Sequence, residues 1–447
     1  MISQLLAQIR QKKLKGLLIK SSLLGILLLG LLLVYVLRSD IKSSPLFSLE
    51  PLSVLLSSFI FFVFWLIYIL GYKNVRQSCS HTKTIFIFSI IFSLILIFVP
   101  IIASDDLGTY IYRSRIFSKY GQNPYLVTYD SFVHDEFYTE LSNLWSGNTT
   151  VYPPLFTLWG GLVTFLAGNS LWASFLFFKM AAVLANLAAS RLILALSKDN
   201  RSYYLYAFNP ILLSFFLVDG HNDVYLVLFL LWSLYFLFKK ETLKFLFFGW
   251  LFLFFSVMVK YFSLLAVPFY AVYTFKKINQ PKQRLFFTGL ILLVFTGLTV
   301  LLYAPFWDGA QILTRLPAVV QIQNYNNSSP LITLMTNLLI SIKVEDAYRW
   351  SIIFSRGVFL VSSLILFIHF LVSKNRFKEG LVRSLLLVFS FFFFFFFTWF
   401  WPWYFTTVVA LACNYLSFRP KQLVGRAALF ALTGYGVVWH LLYYLKR

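Results

Sequence analysis

The chain has 447 residues, of which 60% are hydrophobic, 20% aromatic and only 12% charged. Soluble domains carry about 25% charged residues, so a cytosolic globular protein is excluded and an all-α polytopic membrane protein is expected. The formal charge of +22 raises the question of nucleic acid or acidic partners, which the placement of the charges decides. Cys79 and Cys413 lie in a loop and in an apolar run, which supplies neither a disulfide framework nor a cysteine metal site.

A bilayer span needs about 20 apolar residues, and the loops rich in Lys and Arg mark the cytoplasmic side. Arg10, Lys12, Lys13 and Lys15 precede the first apolar stretch, residues 16–37. That stretch is too long for a signal peptide and lacks a small-residue cleavage site, so it reads as a retained helix with a cytoplasmic start. Spans 51–70 and 84–103 follow, joined by an inner loop with Lys73, Arg76 and Lys83. The long polar segment 104–150 is therefore outside. The apolar stretch after Tyr152-Pro-Pro-Leu155, ending near Gly168, is expected to lie at the outer interface, because counting it as a span would put Lys198 and Arg201 outside. Spans 171–196, 203–218, 224–238, 245–259, 261–275, 285–306, 350–373, 384–399, 404–418 and 427–445 complete a set of about thirteen. The chain is read as one integral membrane domain, 1–447, with a core at 85–306 that includes the outer loop 104–170. A second outer loop at 307–349 and C-terminal helices at 350–447 follow.

On this map only Asp199, Glu241 and Glu379 of the 16 acids fall inside. The excess basic charge is then a topology signal. No basic groove exists beyond loops of a few Lys or Arg, which excludes nucleic acid as a partner.

Ionisable groups at membrane depth are costly and are candidates for function. Asp105 and Asp106 open the long outer loop, where an anchored carboxylate can take a proton from a hydroxyl. Asp219-Gly-His-Asn-Asp223 joins two apolar stretches; a turn needs only Gly, Asn or Asp, so His221 and Asp223 exceed what the turn requires. His and two Asp also permit a metal site, but the remaining ligands would have to come from elsewhere, and the nearest His, His134, is in a loop. Lys179, Lys260 and Arg315 are cations on the acidic side, against the positive-inside bias. Singly each is a snorkelling side chain; together they suit an anion such as phosphate. Trp399, Trp401, Trp403 and Tyr404 around Pro402 fit an interfacial aromatic belt and equally a sugar groove. Sequons at Asn148, Asn326 and Asn327 are short matches in outer loops.

In chain order, Asp106-Leu-Gly-Thr-Tyr110, Gly121-Gln-Asn-Pro-Tyr125, Tyr152-Pro-Pro-Leu155, Phe208-Asn-Pro210, Gly220-His-Asn-Asp223, Lys260 with Pro268, Tyr303-Ala-Pro-Phe-Trp307 and Pro402-Trp-Tyr404 form a series. The chain carrying it resembles the C-superfamily of membrane glycosyltransferases (GT-C fold), especially the bacterial mannosyltransferases that use polyprenyl-phosphate-mannose. The resemblance implies a GT-C-type helical bundle with juxtamembrane helices in the first outer loop. It implies transfer of a hexose, mannose in those relatives, from a polyprenyl-phosphate donor to a glycan or glycolipid acceptor, with inversion. Asp106 matches the family's general base, with Asp105 beside it where relatives often carry another residue. Lys260, Lys179, Arg315 and His221 become candidates for the donor phosphate. Asp223, Asn222, Tyr110, Tyr152 and Trp403 become candidates for the sugar and acceptor. No cofactor or metal is expected, because phosphate is already a competent leaving group. The implied place of reaction is the extracytoplasmic face of a plasma membrane, in contact with membrane lipid. Two other readings are a transporter or flippase of lipid-linked saccharides, which would place polar groups at mid-bilayer in repeated halves, and a glycan polymerase or ligase.

Overall fold

The computed structural model describes residues 2–38, 51–101, 104–142, 145–309, 329–373, 377–398, 400–419 and 422–445. It is all-helical, as expected. The helices are α1 (Ile2–Arg38), α2 (Pro51–Tyr72), α3 (Cys79–Leu96), α4 (Asp106–Ser118), α5 (Tyr138–Leu141), α6 (Pro154–Ala167), α7 (Leu171–Ser197), α8 (Asn200–Ala207) and α9 (Pro210–Leu212). They continue with α10 (Asp223–Lys239), α11 (Leu243–Val259), α12 (Val267–Lys277), α13 (Pro281–Tyr303), α14 (Pro330–Ser341), α15 (Ala347–Val372), α16 (Phe377–Phe391), α17 (Phe405–Phe418) and α18 (Leu423–Leu445).

Among the described residues, 7 stretches are helical, long and apolar enough to cross a bilayer: Gln11–Leu33, Leu55–Tyr72, Cys79–Leu96, Leu171–Ser197, Pro281–Phe306, Ala347–Val372 and Lys378–Phe396. Leu285, Leu293 and Val300 on α13 and Leu360, Leu364 and Ile365 on α15 are exposed, which suits a hydrocarbon surround. The expected spans 224–238 and 245–259 are 17-residue helices packed as a hairpin. Two expected continuous spans are interrupted. The one at 203–218 stops at Ala207, because Pro210 has no N–H to give and the Asn209 side chain accepts from the amides of Ile211 and Leu212, starting a new turn. The one at 261–275 opens as a 3₁₀ turn and becomes α-helical only at Val267, with Pro268 in its first turn.

Two apolar cores hold the bundle. One joins α1 to α4, α7 and α8; the other joins α11 and α12 to α15, α16 and the aromatic run after it. α10 and α17 belong to both: Leu226, Val227 and Leu231 face the first core and Leu230, Leu234 and Leu237 the second, while Val409 and Cys413 face the first and Phe405 and Leu411 the second. Side chains three and four apart cover adjoining faces of a helix, so these two helices are the seam between halves. Asp223 stands at the start of α10, and Trp403 and Tyr404 immediately precede α17, so the seam ends in polar and aromatic residues.

The segment after α4 is fastened by a buried ionic cluster. Arg115, 1% exposed, donates from Nε and Nη2 to Asp135 at 2.8–3.3 Å and from Nη1 to the Gly168 carbonyl beyond α6 at 3.2 Å. Asp135 also accepts from the hydroxyls of Tyr120 and Tyr129 and from the Phe137 amide. Glu136 completes the cluster with Arg115 at 2.9 Å and Lys119 at 2.5 Å. The other side of the segment docks on the end of α13, where Asn123 donates to the Phe306 carbonyl at 2.6 Å and Tyr125 packs edge-on to Phe306. α4 and α6 are thereby fixed over the end of the seam.

Candidate active site

Asp106 is the first residue of α4, and its amide donates to the Ser104 hydroxyl at 3.2 Å. A helix N-terminus favours a carboxylate. Its side chain is 24% exposed, and Oδ2 lies 3.3 Å from Nδ1 of His221, a fully buried ring. What brings these together is the turn before α10. Residues Leu213–Val218 form a π-helical turn, closed by the His221 amide donating to the Phe215 carbonyl at 2.9 Å. Gly220 then takes φ +67°, and a Cβ there would meet a Leu107 methyl at 2.9 Å. Only glycine allows that approach. It sets His221 against the residue that precedes Leu107.

The ring is held from its other sides by aromatics. It stacks on Trp403 with centroids 4.4 Å apart and meets Phe215 edge-on at 5.8 Å. Trp403 in turn stacks on Trp401 at 5.0 Å. Neither ring nitrogen of His221 has a partner in hydrogen-bond geometry among the described residues; the approach of Nδ1 to Asp106 is an ion-pair contact.

Asp223, first residue of α10, is bound through both oxygens by the Lys260 ammonium, at 2.8 and 2.9 Å. The same ammonium donates to Oδ1 of the Asn222 side chain at 3.3 Å and lies 5.0 Å from the Tyr404 ring centre and 5.5 Å from that of Phe262. A desolvated ammonium gains from both contacts. The Tyr110 hydroxyl bridges the two acid sites, 3.5 Å from Asp106 Oδ2 and 3.3 Å from Asn222 Oδ1. Tyr152 and Phe156 pack edge-on against the Tyr110 ring. Burial, with Tyr152 and Asp106 nearby, pushes the Tyr110 phenol well above its ordinary range, so it stays a neutral donor. Burial alone would raise the Asp106 carboxyl; His221, Lys260 and Arg113 outweigh it and hold the group below its ordinary value. Asp106 is thus an ionised base near neutral pH.

Eight expected site residues converge here: Asp106, Tyr110, Tyr152, His221, Asn222, Asp223, Lys260 and Trp403. Asp105 is the cap position of α4, its carbonyl accepting from the Thr109 amide at 3.1 Å. Lys179 is elsewhere in its bonding: its ammonium donates to the carbonyls of Val99 and, at 3.5 Å, of Leu96, closing the end of α3. Arg315, Trp399 and the sequons at Asn326 and Asn327 lie outside the described residues. Sequence reading passed over Arg113, a buried arginine. The signal was present: Asp106, Tyr110 and Arg113 recur at i, i+4 and i+7, one face of a helix. Among the described residues no group of three or more His, Cys, Asp or Glu converges to hold a metal ion.

Bilayer-length helices and a carboxylate held ionised beside an imidazole, with buried cations around it, mark a helical membrane enzyme equipped for acid–base chemistry. The model of the family described as "Alpha-(1->6)-mannopyranosyltransferase, N-terminal domain" matches residues 24–276, more than half of the chain, and the chain belongs to that family. Comparison with curated proteins finds no match. The protein is therefore a mannosyltransferase of the GT-C type, embedded in a membrane, that takes a sugar donor and a glycan acceptor. Every polar residue of the cluster falls within the matched segment; Trp403 and Tyr404 come from beyond it.

Proposed function

We propose that the protein transfers mannose from a polyprenyl-phosphate donor to a 6-hydroxyl of a glycan or glycolipid acceptor, with inversion, at the extracytoplasmic face of the membrane. The observation that carries this reading is the Asp106–His221 contact at 3.3 Å beside buried cations. Asp106 takes the acceptor's proton as that oxygen attacks the anomeric carbon. The bond from that carbon to the donor phosphate breaks, its electron pair leaves with the phosphate, and cationic side chains of the cluster stabilise the charge that develops. An α product formed by inversion requires a β-linked donor. A 6-hydroxyl on a hexopyranose is a primary alcohol on an exocyclic carbon, which suits a base only partly open to solvent. His221 holds the carboxylate oriented, and Tyr110, Asn222 and Tyr152 line the acceptor's approach. Placing the active site at the outer face rests on the charge asymmetry of the loops.

The test uses the purified protein in lipid discs, supplied with a panel of polyprenyl-phosphate hexoses and glycan acceptors, and measures release of polyprenyl phosphate. Release is expected with the mannose donor and an acceptor bearing a free 6-hydroxyl. Absence of release from every lipid donor, with turnover of a nucleotide-linked mannose, would sink the lipid-donor reading.

A further inference from the structure

The cations of α4 and its surroundings divide sharply by whether an acid matches them. Lys260 is taken by both oxygens of Asp223. Arg115 is taken by Asp135 and Glu136. Arg113 is only 6% exposed, has no ion pair among the described residues, and its Nε has no hydrogen-bond partner. Its charge bears on the Asp106 carboxylate and on Tyr152. Its other charge contact is the Tyr112 ring, 5.8 Å from Cζ; a buried guanidinium with no directly bonded anion is costly, and a fold that fully satisfies Arg115 two residues later has the means to avoid that cost.

From these observations we infer that Arg113 is the binding residue for the donor's phosphate, Lys260 being a fixed part of the site's frame through Asp223. The inference rests on the transfer reaction proposed above. Arg113 lies two turns along α4 from Asp106, on the face that Asp106 and Tyr110 share, and its charge reaches the Asp106 carboxylate, so the base and the guanidinium border one space. The donor phosphodiester carries one negative charge. When its bond to the anomeric carbon breaks, the electron pair stays on the phosphate oxygen and the acceptor proton goes to Asp106, so the phosphate gains charge where Arg113 waits. The guanidinium fork can bind two phosphate oxygens.

The experiment compares wild-type protein, Arg113→Met and Arg113→Lys in lipid discs, measuring binding of a polyprenyl phosphate and of the polyprenol with the same chain. Wild type is expected to prefer the phosphate. Arg113→Met is expected to lose about tenfold or more of that preference with polyprenol binding unchanged, and Arg113→Lys to fall between. If wild type prefers the phosphate and Arg113→Met keeps the full preference, the inference is overturned. If Arg113→Met does not fold, Arg113→Lys decides: undiminished preference and turnover overturn the inference, whereas a loss in both supports it. A GDP-mannose arm separates this from the donor reading. Wild type that ignores polyprenyl phosphate but binds the nucleotide sugar through Arg113 refutes the lipid donor and upholds the arginine.

Discussion

α4 carries two buried ionic clusters within three turns, and they are built to opposite rules. Around Arg115 each Asp135 oxygen accepts from at least two donors, and the arginine's Nε and both terminal nitrogens are engaged. Around Asp106, both ring nitrogens of His221, Nδ2 of Asn222 and Nε of Arg113 are buried without hydrogen-bond partners among the described residues. Orphaned polar atoms in a low-dielectric interior are costly. A chain that satisfies one cluster completely and leaves its neighbour open on the same helix fits the proposal that the second receives groups that arrive with substrate. On that proposal the saturated cluster makes structure, and the open one makes chemistry.

The strongest way to break that distinction is to exchange the consequences. Asp106→Asn keeps the size of the side chain and removes the base; activity should fall about 10²- to 10⁴-fold, with donor binding and thermal unfolding in detergent little changed. Asp105→Asn should retain most of the activity. Reversal of the two results would move the base by one residue. Arg115→Met is the counterpart in the saturated cluster. It leaves the Asp135 carboxylate buried without its main partner, a change worth about 3–5 kcal/mol, and should appear as a large fall in unfolding temperature and folded yield. Protein that does fold should turn over at a rate close to wild type.

A smaller effect sharpens the assignment inside the open cluster. Asp106 is faced by Tyr110 and Arg113 on its own helix, by His221 from the turn before α10, by Lys260, by Tyr152 and by Tyr404, while Asp223 and Asp106 both act on Tyr110. Its carboxyl is low chiefly because the His221 contact opposes burial. The base must be ionised to act, so activity fails on the acid side as pH drops through that pKa. His221→Ala leaves burial less opposed and the pKa rises. The acid limb of the rate profile should then move to higher pH, with kcat reduced about 10-fold or more and the KM for donor little affected. His221→Asn, whose amide N–H can face Asp106 in place of the ring, should recover part of both. A raised donor KM with an unmoved acid limb would instead make His221 a phosphate ligand.

These contrasts explain which parts of the molecule could be read from the sequence. Membrane class and most helix positions follow from apolar length, which is local. The interruptions at Asn209-Pro210 and Pro268 are also local signals, overridden in a reading that counted apolar residues first. Asp106, His221, Asp223 and Lys260 stood out because each is a charge or a histidine against an apolar background. Their pairing was not legible: the contacts of Lys260 with Asp223 and of His221 with Asp106 depend on Gly220 pressing against Leu107 and on a π-helical turn, neither of which has a pattern in the chain. Arg113 was hidden for a different reason. In a loop with Arg115 and Lys119 close by it looks like one of several basic residues; both arginines are buried, and only the acids that fold against Arg115 separate the matched arginine from the unmatched one.

The mildest change probes the saturated cluster without destroying it. The Tyr120 hydroxyl donates to Asp135 at 2.6 Å, and its own phenol is pushed up to about 12 by burial and by that carboxylate, so it remains a donor at any working pH. Burial would raise Asp135, but Arg115, Tyr120, the Phe137 amide and Tyr129 hold it down at about 2. A carboxyl depressed in the folded state adds stability that is present above its unfolded value, about 3.9, and is lost as pH falls through the folded one. Tyr120→Phe removes one donor of several, costing about 1–2 kcal/mol at neutral pH, and lets the Asp135 pKa rise. Acid unfolding, followed by thermal melts in detergent from about pH 6 down to pH 2, should therefore begin at higher pH than in wild type, while the acid limb of the transfer rate stays where it was. The two limbs move independently only if the clusters are separate devices; a shift of both by Tyr120→Phe would show that the saturated cluster tunes the open one through α4.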